Sequence, residues 1–280
     1  YLRGEWRTHG WWYYYLYATV VKEPLPFLAL GILAVMAGVL LVKWTRAGIC
    51  DAIHLLMPGM ALFAFVSSQT GFNHHLRYVL PAFPFFAIGI GVLGSQEVRQ
   101  FRWLYRLSFG LAILGSLASV SISPHWHAFF NVTVGGPQNG PFHLLDSNVD
   151  WGQDVLLFKR WVQSHPELPL DGVEYALPAW LGVRSLAGID SGFVPKGYDQ
   201  TQKKPDSSGG NSDTGPSPGR YALSVIPIYR EDSGYDYFQR IEPIARVGWT
   251  IRVYELTQSD TDQIRDSLGY EPLKRDQILK

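Results

Sequence analysis

Apolar residues are spread very unevenly along this chain. Four stretches, at about 24–42, 52–76, 78–96 and 107–124, run on without Asp, Glu, Lys or Arg. Each has roughly the 18 to 20 residues that a helix needs to cross a hydrocarbon core about 30 Å thick. After residue 124 the pattern shortens. Trp151, Val155, Phe158 and Val162 recur at helical spacing, which predicts a helix over 151–165. Asp150 is the expected N-cap, Gln153 completes a capping box, and His165-Pro166 stops the run. Strand-like runs follow at 172–177, 220–226 and 247–256. In the last, Val247, Trp249, Ile251 and Val253 fall on one face. A second helix is expected over 260–268, with Ser259 as cap and Gly269 as stop.

The expected fold is therefore a membrane α-helical region of about four transmembrane helices, followed by a small external α/β domain. Residues 1–23 form an aromatic external segment, 24–124 the helices, and 125–280 the external domain. Residues 196–219 are rich in Gly, Ser, Pro and Asp and nearly devoid of apolar side chains. Such a stretch buries too little surface to offset its ordering entropy, so a flexible surface loop is expected there.

Charge fixes an orientation. Lys43 and Arg46 lie between the first two apolar runs, and Arg99, Arg102 and Arg106 between the last two. Short loops rich in Lys and Arg stay cytoplasmic, so the N-terminus, the turn at 71–77 and everything after 124 should face outward. Arg3, Arg7 and Lys22 run against this count on the outer side. The whole chain carries 24 basic and 24 acidic residues. That balance argues against a nucleic-acid partner. The single Cys50 excludes an internal disulfide and a cysteine zinc cluster. A chain that starts at Tyr1 is expected to be a fragment or a processed product.

Candidate chemistry gathers in residues 135–154, where a Gly/Pro/Asn turn leads into Asp146, Asn148 and Asp150. Polar groups at such a junction can contact a sugar or an acceptor, or simply build the turn. Asp146, Asp150 and Asp154 stand four apart, a spacing that would share one helix face, but Ser147-Asn148 interrupts any such helix. Arg77 stands at the outer mouth of the third run beside His74 and His75. Its guanidinium can clamp a phosphate or snorkel to headgroups. Trp11, Trp12, Tyr13, Tyr14, Tyr15 and Tyr17 can form an anchoring belt or one wall of a cavity. Pro58 lies deep in the second run, where a kink is expected, and Pro81 and Pro84 open the third. His125 and His127 lack a nearby carboxylate and are not read as a metal site. Asn131-Val132-Thr133 is a formal glycosylation sequon. No phosphate-binding glycine loop, nucleophile elbow or zinc-protease pattern is present.

Several of these stretches together resemble a known family. They are Gly10-Trp11-Trp12-Tyr13-Tyr14 with Lys22-Glu23-Pro24-Leu25-Pro26, and Arg77-Tyr78-Val79-Leu80-Pro81. Gly135-Gly136-Pro137 with the run 145–154, and Pro243-Ile244-Ala245-Arg246-Val247-Gly248, complete the set. The chain resembles the C-terminal part of bacterial GT-C membrane glycosyltransferases, family 39-like, related to protein O-mannosyltransferases and aminoarabinose transferases. That resemblance implies a bacterial inner-membrane protein with an external, periplasmic C-terminal domain. Its donor would be a sugar on a polyprenyl phosphate and its acceptor a glycan or a protein. No metal site is read from the residues, and no cofactor is assigned beyond that donor substrate. Arg77 matches the family's Arg-Tyr-x-Leu-Pro motif and is assigned by resemblance to the lipid phosphate. His74, Trp11 and Tyr14 are placed near the cavity, with Asp146, Asn148 and Asp150 as second choices. The family's base is a carboxylate in a first external loop that nothing here matches, so no catalytic base is assigned. The alternative is a non-catalytic, membrane-anchored external domain that binds glycan or a partner protein. A transporter is disfavoured, because no apolar run has a charged residue at its centre.

Overall fold

The computed structural model describes residues 1–69, 71, 73, 75–175, 188, 192–198 and 215–273. The chain divides into two compact units, Tyr1–Asn148 and Val149–Lys280. Residues 125–148, expected in the external domain, instead pack with the first unit. The boundary falls at 148/149 because Asn131 and Asn148 bond back to the segment before the first apolar run.

The first unit opens on α1 (Tyr14–Lys22). Trp11, Tyr14, Tyr15, Ala18 and Val21 are buried, at spacings of three and four, while Trp12, Leu16 and Val20 are exposed. The aromatic segment is therefore split between core and surface rather than fanned out as a belt. Pro24 forces Glu23 into an extended conformation and ends the helix. The chain then turns through 117° into α2 (Leu25–Leu40). Next comes α3 (Arg46–Ser68), capped by Thr45, whose hydroxyl accepts from Gly48 N at 3.1 Å. It runs on through Pro58. The third apolar run breaks into 3₁₀ turns at Leu76–Tyr78, Leu80–Ala82 and Gly91–Gly94 around a short α4 (Phe83–Ile90). A one-turn α5 (Gln96–Arg99) leads into α6 (Arg102–Ser121), and a one-turn α7 (Gly140–His143) lies near the end of the unit.

Two of the described helices, α3 and α6, are long and apolar enough to cross a membrane. A third span exists only if α1 and α2 count as one across their bend. The expectation of four is thus met in part. The first run yields a 16-residue helix that begins directly after Pro24 and stops at Leu40, and the third is broken by Pro81, Pro84 and its glycines. Small residues set the close approaches. A Cβ on Gly59 would stand 2.8 Å from Phe85 Cβ and 3.2 Å from the Ala82 carbonyl, so α3 lies almost against α4. Gly115 of α6 gives the same room to Phe27 of α2. Leu30, Ala34 and Ala37 of α2 share one apolar cluster with Leu93, Val98 and Leu104.

The second unit is a four-stranded mixed sheet with helices on both faces. Its strands are β1 (Gly172–Glu174), β2 (Gly219–Ser224), β3 (Ala245–Val247) and β4 (Ile251–Leu256), in the order β1-β2-β4-β3. The β1–β2 pair is parallel and the others antiparallel. Alternation sorts the side chains. Val173, Ala222, Val247, Ile251 and Val253 meet Phe158 of α8 (Val155–Ser164). Tyr221, Leu223, Tyr254 and Leu256 meet Ile228 of α9 (Val225–Tyr229), Phe238, and Ile264 of α10 (Gln258–Ser267).

Local details depart from the sequence reading. The helix expected from 151 starts at Val155, because Gly152 takes a left-handed φ of +82°. Asp150 and Gln153 do bond locally, but they close the turn before it. Asp150 Oδ1 accepts from Gly152 N, and Gln153 Oε1 from Trp151 N. The run 220–226 is strand only to Ser224 and then turns into α9. The run 247–256 is two strands joined at Gly248. The last helix is capped by Thr257, not Ser259, in a reciprocal pair with Asp260; Gly269 does end it, at φ +77°. Of the expected loop 196–219, the ends are held. Gly197 N donates to Gly234 O, Tyr198 N to Tyr270 Oη, and Arg265 Nη1 to Pro216 O. Residues 199–214, and 176–177 of the first strand run, lie outside the described residues.

Gly248 is the position where backbone freedom matters most. Its φ is +60°, and an added Cβ would lie 2.2 Å from the carboxyl carbon of Asp154. That carboxylate accepts from Trp249 N at 2.7 Å, Thr250 N at 2.9 Å and Thr250 Oγ1 at 3.0 Å. Gly248→Ala is expected to destabilise the second unit by about 3 kcal/mol or more. The unfolding midpoint, followed by tryptophan fluorescence, should drop by several degrees. An unchanged midpoint would contradict this account of the turn.

Candidate functional site

Three segments far apart in sequence meet at one end of the helices of the first unit: residues 1–23, 73–82 and 126–148. Asn148, buried to 2 % exposure, is their common partner. Its Nδ2 donates to Tyr14 Oη at 2.9 Å and to the Leu145 carbonyl at 3.2 Å. Its Oδ1 accepts from Leu76 N at 2.9 Å. Its own carbonyl accepts from Lys22 Nζ. Asn131 acts likewise on α1, donating from Nδ2 to Val20 O at 2.6 Å and Glu23 O at 3.1 Å. The sequon asparagine is thus a buried tie, with its side chain already bonded. Trp11 N donates to Asn73 Oδ1, and Arg3 N to His143 O.

Charge and imidazole collect around this knot. Lys22 Nζ donates to His127 O at 2.8 Å and to Asn148 O, and stands 4.5 Å from the centre of the Phe130 ring. Burial pulls the ammonium down, to about 7, and Glu23 acts against that shift. The carbonyls and the ring face also favour a cation here, so we read Lys22 as charged near neutrality. Burial, and then the charge of Lys22, push His127 down to about 4 and keep it neutral. Ser147 Oγ bonds the ring of His75. Burial holds the Tyr14 phenol well above its usual range, with Asp146 adding to the shift and Asn148 opposing it. Asp146 itself sits in the left-handed region, at φ +55°, a conformation that asparagine and aspartate tolerate better than most residues.

The predicted site residues are thus dispersed in part. Tyr14 and Asn148 touch, and Asp146 lies close enough to act on Tyr14. Trp11 is held through its backbone, its buried ring 5.2 Å from the Arg7 guanidinium. Arg77 is exposed on the 3₁₀ turn, 5.4 Å from the Tyr78 ring centre and one residue from the Leu76 amide that Asn148 holds. His74 lies outside the described residues. Asp150 belongs to the second unit. Sequence reasoning gave no site role to Lys22, His127 or Ser147, which bond across 72 to 126 residues; His75, noted in the sequence beside Arg77, bonds Ser147. Among the described residues no group of three or more His, Cys, Asp or Glu is placed to hold a metal ion.

A groove of about 1010 Å³ runs along the helices next to this layer, between α2, α3 and the broken third segment. Phe27, Ile32, Val35, Phe63, Phe83 and Phe86 line it. Thr19 and Glu23, at the bend between α1 and α2, bring polar groups to its wall.

In the second unit Asp150 is the centre of a separate polar cluster. Its Oδ1 accepts from Gly152 N at 2.8 Å and Tyr175 Oη at 3.1 Å, and Ser224 bears on it as well. Burial, with the Asp154 charge adding to it, raises the carboxyl to about 6. Asp154 packs under the Gly248 turn. The four-residue spacing of these two aspartates therefore serves a turn and a strand connection, not one helix face.

No protein-family model, curated protein or solved structure matches the chain. What its own geometry defines is a mostly helical protein with two or three candidate apolar spans and a small unit built on a mixed four-stranded sheet.

The raised carboxyl of Asp150 has a consequence for stability. Its folded value, about 6, stands above the ordinary value of 3.8, so the folded protein binds this proton more readily. The associated stability is fully present below about pH 4 and is lost as pH rises through about 6. Its size is on the order of 3 kcal/mol at most. Against the wild type, Asp150→Asn should flatten the pH dependence of the unfolding midpoint between pH 4 and about 6. Identical slopes in the two proteins would exclude Asp150 as the titrating group.

Proposed function

We propose that this chain belongs to a membrane glycosyltransferase that moves a sugar from a polyprenyl phosphate to a glycan or protein acceptor on the outer face of a bacterial inner membrane. The observation that carries this reading is the convergence on Asn148. The segments of the first unit that sequence places on the outer side, 1–23, the described residues of 71–77, and 125–148, make one hydrogen-bonded layer. The stretches that resemble the GT-C family in this unit all contribute to that layer or adjoin it. They are Gly10 to Tyr14, Lys22 to Pro26, Arg77 to Pro81, Gly135 to Pro137 and the first four residues, 145–148, of the run 145–154.

In this reading all four apolar runs cross the bilayer, with Lys43, Arg46, Arg99, Arg102 and Arg106 on the cytoplasmic side. At a rise of 1.5 Å per residue, the 16 residues of α2 span about 24 Å, so the bilayer thins around it or flanking residues snorkel. Arg77, exposed at the rim beside the Asn148 knot, meets the lipid phosphate with its planar pair of donors. Tyr14, Asn148 and Asp146 form the polar floor behind it. Asp150, with its bonds directed to its own unit, is withdrawn to a supporting role there. No residue is assigned as base.

The test is made in membranes that contain the active enzyme. Arg77→Ala is expected to raise the donor concentration needed for half-maximal transfer about tenfold or more while the protein remains folded, as loss of a charge-assisted phosphate contact would. An unchanged donor response would remove Arg77 from the site. A protease or labelling assay on a C-terminal tag should find it on the outer side. A cytosolic tag would overturn the whole arrangement.

A further inference from the structure

The bend between α1 and α2 places a carboxylate where an apolar groove begins. Glu23 and Thr19 both line the groove, whose remaining wall is almost wholly aliphatic and aromatic. Thr19 Oγ1 is already bonded to the Tyr15 carbonyl at 2.7 Å. Glu23 uses only its backbone in hydrogen bonds: its N–H goes to Thr19 O, and its carbonyl accepts from Asn131. From the described residues its carboxylate receives no hydrogen bond. Its neighbour Lys22 sends its ammonium to His127 O, Asn148 O and the Phe130 ring, so that cation's hydrogens are engaged within the layer. The groove volume, about 1010 Å³, is at the upper end of the range for ligand pockets.

A half-buried carboxylate at the end of an apolar trough keeps part of its hydration and is open to a donor that a ligand brings. An amphiphile satisfies both parts at once. Its chain covers the aromatic wall, and its head supplies the missing donor. A phosphate head at this point would set like charge against Glu23, a repulsion strengthened by the low dielectric of the groove. We infer that the groove at the α1–α2 bend is a binding site for a single-chain amphiphile whose head donates a hydrogen bond, as a hydroxyl or an ammonium does, to Glu23. This goes beyond the transferase reading and does not depend on it, since the lipid phosphate there is assigned to Arg77. Burial raises the Glu23 carboxyl above its ordinary value, with Lys22 opposing, and an ammonium seated beside it would favour the ionised form.

The experiment uses the whole chain in phosphatidylcholine nanodiscs, offered hexadecylamine, hexadecanol and hexadecyl phosphate separately, with retained ligand counted by native mass spectrometry. With Arg77→Ala throughout, so that the lipid-phosphate contact of the proposed function does not contribute, the amine and the alcohol are expected to be held about tenfold or more tightly than the phosphate. Glu23→Gln should reduce that margin by about tenfold for the amine and less for the alcohol. Gly31 lines the same groove, and a Cβ there meets nothing within 4 Å, so Gly31→Leu fills the space without touching Glu23. It should weaken all three ligands alike. Equal or tighter retention of the phosphate by the Arg77→Ala chain overturns the proposal and leaves the transferase reading standing. So does a preference that survives Glu23→Gln, or binding indifferent to Gly31→Leu. The comparison of head groups needs no change at Glu23, so it remains decisive even if Glu23→Gln fails to fold.

Discussion

The side-chain amide of Asn148 is the interaction on which the first unit depends. Apolar helices pack by shape and by close approach at glycines, and such packing tolerates sliding. It does not determine how the segments at their ends are registered. An amide does, because its two donors and its acceptor each demand a partner in a set direction. Asn148 spends them on Tyr14, Leu145 and Leu76, while its backbone carbonyl takes Lys22. Three chain segments are thereby fixed at once, in a place where water cannot substitute for a lost partner. Asn131 acts likewise on α1 through Val20 O and Glu23 O, while Asn73 contributes its side-chain oxygen alone, to Trp11 N.

The second unit uses a carboxylate for the same purpose. Asp154 is fully buried and collects two backbone amides and a hydroxyl from the turn between β3 and β4. The turn brings its backbone so close that only glycine fits at 248. The sheet is then sorted by alternation alone, with aromatic residues on one face and β-branched and small ones on the other. In both units, apolar burial supplies the bulk of the cohesion and one buried polar side chain supplies the register.

How much of this was legible in the sequence follows from the range of each interaction. The first, second and fourth apolar runs, the later part of the alternation in 247–256 and the last helix are local signals, and each produced an element close to where it was expected; the third apolar run broke into short turns instead. The errors came where one residue overrode a period. Gly152 delayed the helix after Asp150, Gly248 cut one strand into two, and Pro24 bent the junction of the first apolar helix with α1. The stretch around Asp146, Asn148 and Asp150 was visible as a polar cluster. Its division between two units was not, because nothing local tells Asn148 to bond Tyr14, 134 residues back, while Asp150 bonds Tyr175, 25 residues on. Lys22 was invisible as a site residue for a like reason. In sequence it is merely the last charge before an apolar run, and only the fold brings His127 and Asn148 to it.

The pair Lys22-Glu23 shows what a helix end can do with two adjacent opposite charges. Were both exposed, they would partly neutralise one another, and screening would leave little of their interaction. Here the proline that follows stops the helix between them, so Lys22 keeps a helical direction and Glu23 an extended one. The cation reaches the carbonyls of the polar layer, and the anion borders the groove. Separation converts a pair of weak surface charges into a polarity along the groove, negative at the bend and aliphatic beyond. In the proposed membrane arrangement this polarity lies near the bilayer's outer boundary, where dielectric falls steeply and a small displacement of charge has a large effect. A bend of 117° is therefore more than a change of course: it is what lets neighbouring residues serve the hydrogen-bonded layer and the apolar trough separately.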